Sequence, residues 1–258
     1  MSYMNEKMQK SKANTVPLIT LIPSIVTMFA LCLGTSALRY ALEARFDIAA
    51  ALIIIASVMD GLDGRIARML HSTSPFGAQL DSLADLVNFG VAPGMVLYLW
   101  SLHQITHKGL GWAIVLFYII CSAFRLARFN VQSATDAEKM SDHFFIGIPM
   151  PAAAILVLLP LIQTFNFPEC RLPNLWLASY VVFISIMMIS QLPTFSVKKV
   201  SIRREYVVPL LVFACITIAG ILIEPWFILT IMGVCYLLSL PVSAAYYYTN
   251  RYKDISTD

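Results

Sequence analysis

Read from its N-terminus, the chain alternates long apolar runs with short polar breaks. About 20 helical residues cross a hydrocarbon layer roughly 30 Å thick. Eight apolar windows can be laid along the sequence, near residues 17–37, 46–69, 76–100, 110–130, 149–166, 174–192, 206–223 and 226–248. The pattern predicts an all-α fold, a polytopic bundle of about eight transmembrane helices. No internal repeat, low-complexity tract or soluble domain interrupts it, so residues 1–258 are expected to form one membrane domain, with segment 1–16 before the first span and a tail, 249–258, after the last. The opening MSYMNEKMQKSKANT is polar for too long to be the n-region of a cleaved signal, so the first span is expected to be retained.

Composition agrees with that medium: 59% of the 258 residues are apolar and 13% charged, outside the balance of a soluble domain. An even number of spans places both termini on one side. With the N-terminus cytoplasmic, 14 of the 18 Lys and Arg fall on the cytoplasmic side, and Arg39, Arg45, Lys108 and Arg171 on the other, in agreement with the positive-inside rule. The net charge of +3 is spread over cytoplasmic segments without interleaved aromatics, which argues against a nucleic-acid partner. Lys198, Lys199, Arg203 and Arg204 form a basic cluster that sets topology and is placed to meet anionic headgroups of membrane lipids. The five cysteines have no disulfide or metal-ligand spacing and read as packing residues.

One segment breaks the apolar logic. Spans two and three hold Asp60, Asp63, Asp81 and Asp85, although a charge at the centre of a membrane helix costs several kcal/mol. At about 100° per residue, Asp60, Asp63, Gly64, Ala67 and Arg68 share a face of span two, and Gly77, Asp81, Asp85 and Asn88 share a stripe of span three. In an antiparallel hairpin, Asp60 and Asp85 lie at one depth and Asp63 and Asp81 at another. All four are then about 10–15 Å below the cytoplasmic helix ends. Four converging carboxylates without matching cations need a bound cation to ionise together. All-oxygen ligands favour Mg²⁺ or Mn²⁺ over zinc, and four acids suffice for two ions. Gly64 would let a ligand approach the backbone, Gly77 permits close helix packing, and Arg68 can reach a phosphate at the mouth of the site.

The spacing D-x₂-D-G-x₂-A-R-x₈-G-x₃-D-x₃-D is met without a gap by Asp60, Asp63, Gly64, Ala67, Arg68, Gly77, Asp81 and Asp85. It resembles the signature of the CDP-alcohol phosphatidyltransferases. The resemblance implies a six-helix core, here with two further spans, and two divalent ions held by the four aspartates at the diphosphate of a CDP-linked lipid. It also implies that Gly64, Ala67, Arg68 and Gly77 line the CDP-lipid site and that Asp85 serves as general base. A homodimer is implied as well. FRLARFNV (124–131), FIGIPMP (145–151) and DSLADLVNFGVAP (81–93) are similar to segments of the family's serine-using branch, whereas Ser24, after Pro23, stands where that pattern has Asn.

The expected reaction is therefore transfer of the phosphatidyl group of CDP-diacylglycerol to the hydroxyl of L-serine, with release of CMP. Arg125 and Arg128, one turn apart at the cytoplasmic end of span four, are candidates for binding the acceptor carboxylate or lipid phosphates, with Asn130 beside them. The alternative acceptors are glycerol 3-phosphate, inositol and choline. An alternative of another class is a divalent-cation transporter. Against it, the acids cluster in the cytoplasmic half, and no matching acids in other spans continue a route across the bilayer. The expected setting is the bacterial inner membrane, with the termini and the active site facing the cytoplasm.

Overall fold

The computed structural model describes residues 21–70, 74–107, 109–135, 144–190, 193–195 and 206–255. Segment 1–16 and the cluster Lys198, Lys199, Arg203 and Arg204 lie outside them. Eight helices run in chain order: α1 (Ile22–Leu42), α2 (Phe46–Met69), α3 (Pro75–Trp100), α4 (Leu110–Thr135), α5 (Met150–Asn166), α6 (Asn174–Ile189), α7 (Val207–Ile223) and α8 (Pro225–Ile255). Three of these, α1, α3 and α4 through Val131, are long and apolar enough to cross a membrane. Four shorter apolar helices follow, α5, α6, α7 and the Pro225–Pro241 part of α8. The all-α reading holds, with one addition. Phe144–Ile146 (β1) and Pro193–Phe195 (β2) form a short antiparallel pair joining the approach to α5 to the segment after α6. Two helices outrun their expected ends, α4 reaching Thr135 and α8 reaching Ile255, so the tail begins as helix.

The buried positions of α1 are Pro23, Thr27, Ala30, Gly34, Ala37 and Ala41, spaced by three or four throughout, so they form one stripe. All are small apart from Pro23. The matching stripe on α2 is Ala49, Ala50, Ile53 and Ala56, continuing to Asp63. Small residues let membrane helices approach closely enough for dispersion to hold them, and α1 and α2 share the most extensive contact between helices in the described structure. Their connection is tight: Ala44 takes a left-handed φ of 58°, and the Arg45 amide returns to the Tyr40 carbonyl at 2.9 Å. This is a Schellman-type stop with alanine where glycine is usual.

The rest of the core gathers around α3 and α5. Phe89, Val96 and Leu97 of α3 pack with Ala153, Val157, Leu158 and Leu161 of α5, all fully buried. Gly147 precedes α5 with φ at 78°, and a Cβ there would stand 2.8 Å from the Met188 carbonyl, so the turn requires glycine. By contrast, no residue of α7 is buried. Its apolar surface faces outward apart from its contact with α8, and α8 packs back onto α5.

Helix α3 is not uniform. Ser74 caps it by accepting from the Gly77 amide at 3.0 Å, with Pro75 as first residue. Pro75–Asp85 is α-helical, Leu86–Val91 is a π-turn, and Ala92–Trp100 is α-helical again. A single stripe along this span requires α geometry throughout. It holds as far as Asp85, and Asn88 lies beyond the change of pitch.

Candidate active site

The stripe that packs α1 on α2 ends at the acids. One carboxylate oxygen from each of Asp60, Asp63 and Asp81 can be chosen so that all three lie within 4.8 Å of one another. Asp85 completes the group from α3, its carboxyl within hydrogen-bonding reach of that of Asp60. These are the neighbours that equal depth in the hairpin requires. Asp63 is 3% exposed, and the other three are half-buried.

No Lys or Arg among the described residues forms an ion pair with any of the four. The one such pair, Arg39 with Glu43, lies at the far end of α1. Three converging carboxylates, one of them buried, make an acidic cluster able to hold a metal ion. Its donors are all oxygen, which matches a hard divalent ion.

Two interactions fix the cluster from outside the acidic motif. The Thr27 hydroxyl of α1 lies 2.8 Å from Asp63 Oδ2 and 3.0 Å from the Pro23 carbonyl, so its proton can serve either oxygen. On α4, the Asn130 amide donates to the Ser82 hydroxyl at 3.0 Å, tying that helix to α3 between the two acids it carries.

A cavity of about 590 Å³ opens beside Asp63 and Asp81. Gly64, Ala67 and Arg68 line it from α2, Gly77 and Ala78 from α3, Pro23, Ser24 and Thr27 from α1, and Phe129 from α4. A Cβ built on Gly64 would meet nothing within 4 Å, so the backbone there is open to a ligand. At Gly77 a Cβ would stand 3.1 Å from Ser74 Oγ and 3.6 Å from Ser24 Oγ, so the small residue leaves room where α1 meets the start of α3. Arg68 donates to the Gly64 carbonyl at 2.9 Å and lies along the rim.

Arg125 and Arg128 do not share a direction. Arg125 is half-buried, lies within electrostatic reach of Asp85 and of Tyr236 on α8, and its Nε is buried without a hydrogen-bond partner. Arg128 instead donates to the Ile189 carbonyl, a long contact of 3.4 Å that serves the open C-terminus of α6. The two were expected to enter one cavity. They diverge because Arg128 meets a helix end that lacks backbone donors.

Sequence reasoning did not single out Thr27, Phe129, Tyr236 or the π-turn. Thr27 had a signal: it is the one hydroxyl on a stripe of otherwise small apolar residues.

Residues 20–188 match the CDP-alcohol phosphatidyltransferase family, and residues 205–241 match CDP-alcohol phosphatidyltransferase 2. Several curated proteins named CDP-diacylglycerol–serine O-phosphatidyltransferase are similar. One from Mycobacterium tuberculosis is 36% identical over 225 residues, covering 86% of this chain and 78% of that protein. One from Helicobacter pylori is 35% identical over 195 residues, or 75% and 79% of the two chains. One from Saccharomyces cerevisiae is 41% identical over 109 residues, covering 41% of this chain and 38% of its own. The chain belongs to the CDP-alcohol phosphatidyltransferase family. It is a helical membrane protein and a phosphatidyltransferase.

Proposed function

We propose that this chain is a phosphatidylserine synthase, moving the phosphatidyl group of CDP-diacylglycerol to the hydroxyl of L-serine with release of CMP. The observation that carries the reading is the meeting of Asp60 with Asp63 and Asp81, the latter two lining a cavity together with Gly64, Ala67, Arg68 and Gly77. The names of the relatives supply the serine.

In this reading Asp60, Asp63, Asp81 and Asp85 hold divalent metal, Mg²⁺ or Mn²⁺ and two ions. When bound, such ions neutralise the diphosphate of the nucleotide lipid and the charge that develops on it. Gly64 and Gly77 let the CDP moiety approach the backbone, Ala67 adds a small flat wall, and Arg68 reaches a phosphate from the rim. Asp85, set against Asp60, accepts the proton of the serine hydroxyl. The serine oxygen bonds to the lipid-side phosphorus, the bond from that phosphorus to the CMP oxygen breaks, and CMP leaves with the electron pair. Serine enters as a carboxylate, and Arg125, with a buried unpartnered Nε near Asp85, supplies the fork for it. Asn130 and Arg128 support that side of the site through their contacts with Ser82 and Ile189.

The setting proposed is the bacterial cytoplasmic membrane, with both termini and the site facing the cytoplasm, in one membrane domain that works as a homodimer. The excess of Lys and Arg on that side supports the orientation. CMP release by the purified protein should be followed with CDP-diacylglycerol, Mn²⁺ or Mg²⁺, and each alcohol in turn. Serine should give product, and glycerol 3-phosphate, inositol and choline should not. Product with glycerol phosphate and none with serine would overturn the choice of acceptor.

A further inference from the structure

Two of the helix prolines have a matched tyrosine. Proline has no amide hydrogen, so the carbonyl four residues before it loses its helical donor. For Pro160 in α5 that carbonyl belongs to Leu156, and it accepts from the Tyr180 hydroxyl of α6 at 2.7 Å. For Pro93 in α3 it belongs to Phe89, and it accepts from the Tyr118 hydroxyl of α4, also at 2.7 Å.

The bonding is the same at both places and the backbone is not. Around Pro160 the helix stays α-helical. Pro93 stands two residues after the end of the π-turn Leu86–Val91, which begins at the residue after Asp85. The Ala92 amide bonds the Val87 carbonyl, five residues back, as a π-turn requires.

This turn joins the acid-bearing half of α3 to a half anchored in the core by Val96 and Leu97, both fully buried. A π-turn holds one residue more than α geometry. Regularising it would rotate the acids by up to about 100° and shift them about 1.5 Å relative to that anchor. Helix α4 grips the turn closely. A Cβ on Gly90 would stand 3.1 Å from Ser122 Cβ, and one on Gly94 would stand 3.3 Å from the Tyr118 ring. Tyr118 is itself fully buried. Its hydroxyl, rather than water, therefore satisfies the Phe89 carbonyl.

We infer that Tyr118 is a positioning residue for the transfer step: by holding the Phe89 carbonyl it keeps α3 in π geometry and so fixes the direction in which Asp85 meets Asp60. It touches neither substrate nor metal. The inference rests on Asp85 as the base, and the test separates the two claims.

Full-length Tyr118→Phe, Tyr180→Phe and Asp85→Asn proteins should be purified in detergent and compared for Tm, Mn²⁺ binding and the kinetics of CMP release. Both phenylalanine variants should lose similar Tm. Tyr118→Phe alone should lower kcat, by on the order of ten- to a hundredfold, the scale of a small misplacement. Its Mn²⁺ affinity should fall as well, because Asp81 and Asp85 ride on the half of α3 that the turn orients, whereas the Mn²⁺ affinity of Tyr180→Phe should stay unchanged. Adding Pro93→Ala to Tyr118→Phe returns a backbone donor to Phe89, so Tm should recover while kcat stays low. That double variant carries the test if Tyr118→Phe alone proves too unstable to purify. A kcat for Tyr118→Phe equal to that of Tyr180→Phe, or a kcat that recovers with Tm in the double variant, would overturn the positioning role. If that happens while Asp85→Asn is inactive, the base assignment stands and only the role of Tyr118 falls. Normal turnover by Asp85→Asn would remove the base assignment, and the inference with it.

Discussion

Helices α2 and α7 make opposite use of the membrane. Helix α7 has no charged residue and no buried one, and it presents leucine, isoleucine and phenylalanine outward. Helix α2 carries Asp47, Asp60, Asp63, Arg65 and Arg68, and is not among the helices apolar enough to cross a membrane by composition. By hydropathy α7 is much the better span, yet the site is built on α2. Ordinary membrane contact tolerates many apolar sequences, whereas acids at depth persist only where something compensates them. The poorer span is the more informative one.

The sharpest way to break this contrast is at Asp60, which meets Asp63 and Asp81 and also lies within hydrogen-bonding reach of Asp85. Asp60→Ala should abolish CMP release, a loss of at least about a thousandfold, and should lose Mn²⁺ binding with it, as read by the free-ion signal in a titration. Asp85→Asn should lose turnover by roughly 10²- to 10⁴-fold while part of the metal and nucleotide-lipid binding remains, measured by retention of labelled CDP-diacylglycerol. Thr27→Val keeps the shape of α1 and removes the hydroxyl beside Asp63. Metal affinity should fall about 10- to 100-fold, visible as a rightward shift of the Mn²⁺ activation curve. At the small end, Leu211→Ala on α7 should change Tm and activity hardly at all, within about 0.5 kcal/mol. A loss of activity there comparable to that of Thr27→Val would erase the distinction between the two helices.

Much of this arrangement was legible in the order of residues. Asp60, Asp63, Asp81 and Asp85 could be placed because α-helical spacing and equal depth in a hairpin are geometric consequences of sequence. Gly64, Ala67 and Arg68 share a face of α2 for the same reason, and with Gly77 of α3 they line one cavity. What escaped depends on partners that local spacing does not specify. Arg128 turns toward Ile189 because α6 ends there, and nothing between residues 124 and 131 encodes the position of that end. Tyr236 comes within reach of Arg125 only through the packing of α8 on α5. The π-turn is not legible in local spacing, because the residues of α3 fit a 3.6-residue period and the departure from it depends on a partner helix. Pro93 was a local cue, but the tyrosine that satisfies Phe89 is 29 positions away. Asn88 shows the same limit from another side. A Cβ at Gly34 would collide with its side chain, so a glycine on α1 and an amide on α3 are matched across the bundle.

The central claim is that the carboxylates of α2 and α3 hold divalent metal where the phosphate is transferred. Anomalous scattering at the manganese edge, from crystals grown with Mn²⁺ and CDP-diacylglycerol, tests it most directly. Two peaks about 4 Å apart among Asp60, Asp63, Asp81 and Asp85 are predicted. Manganese bound elsewhere, with these four side chains turned away from one another, would contradict the account.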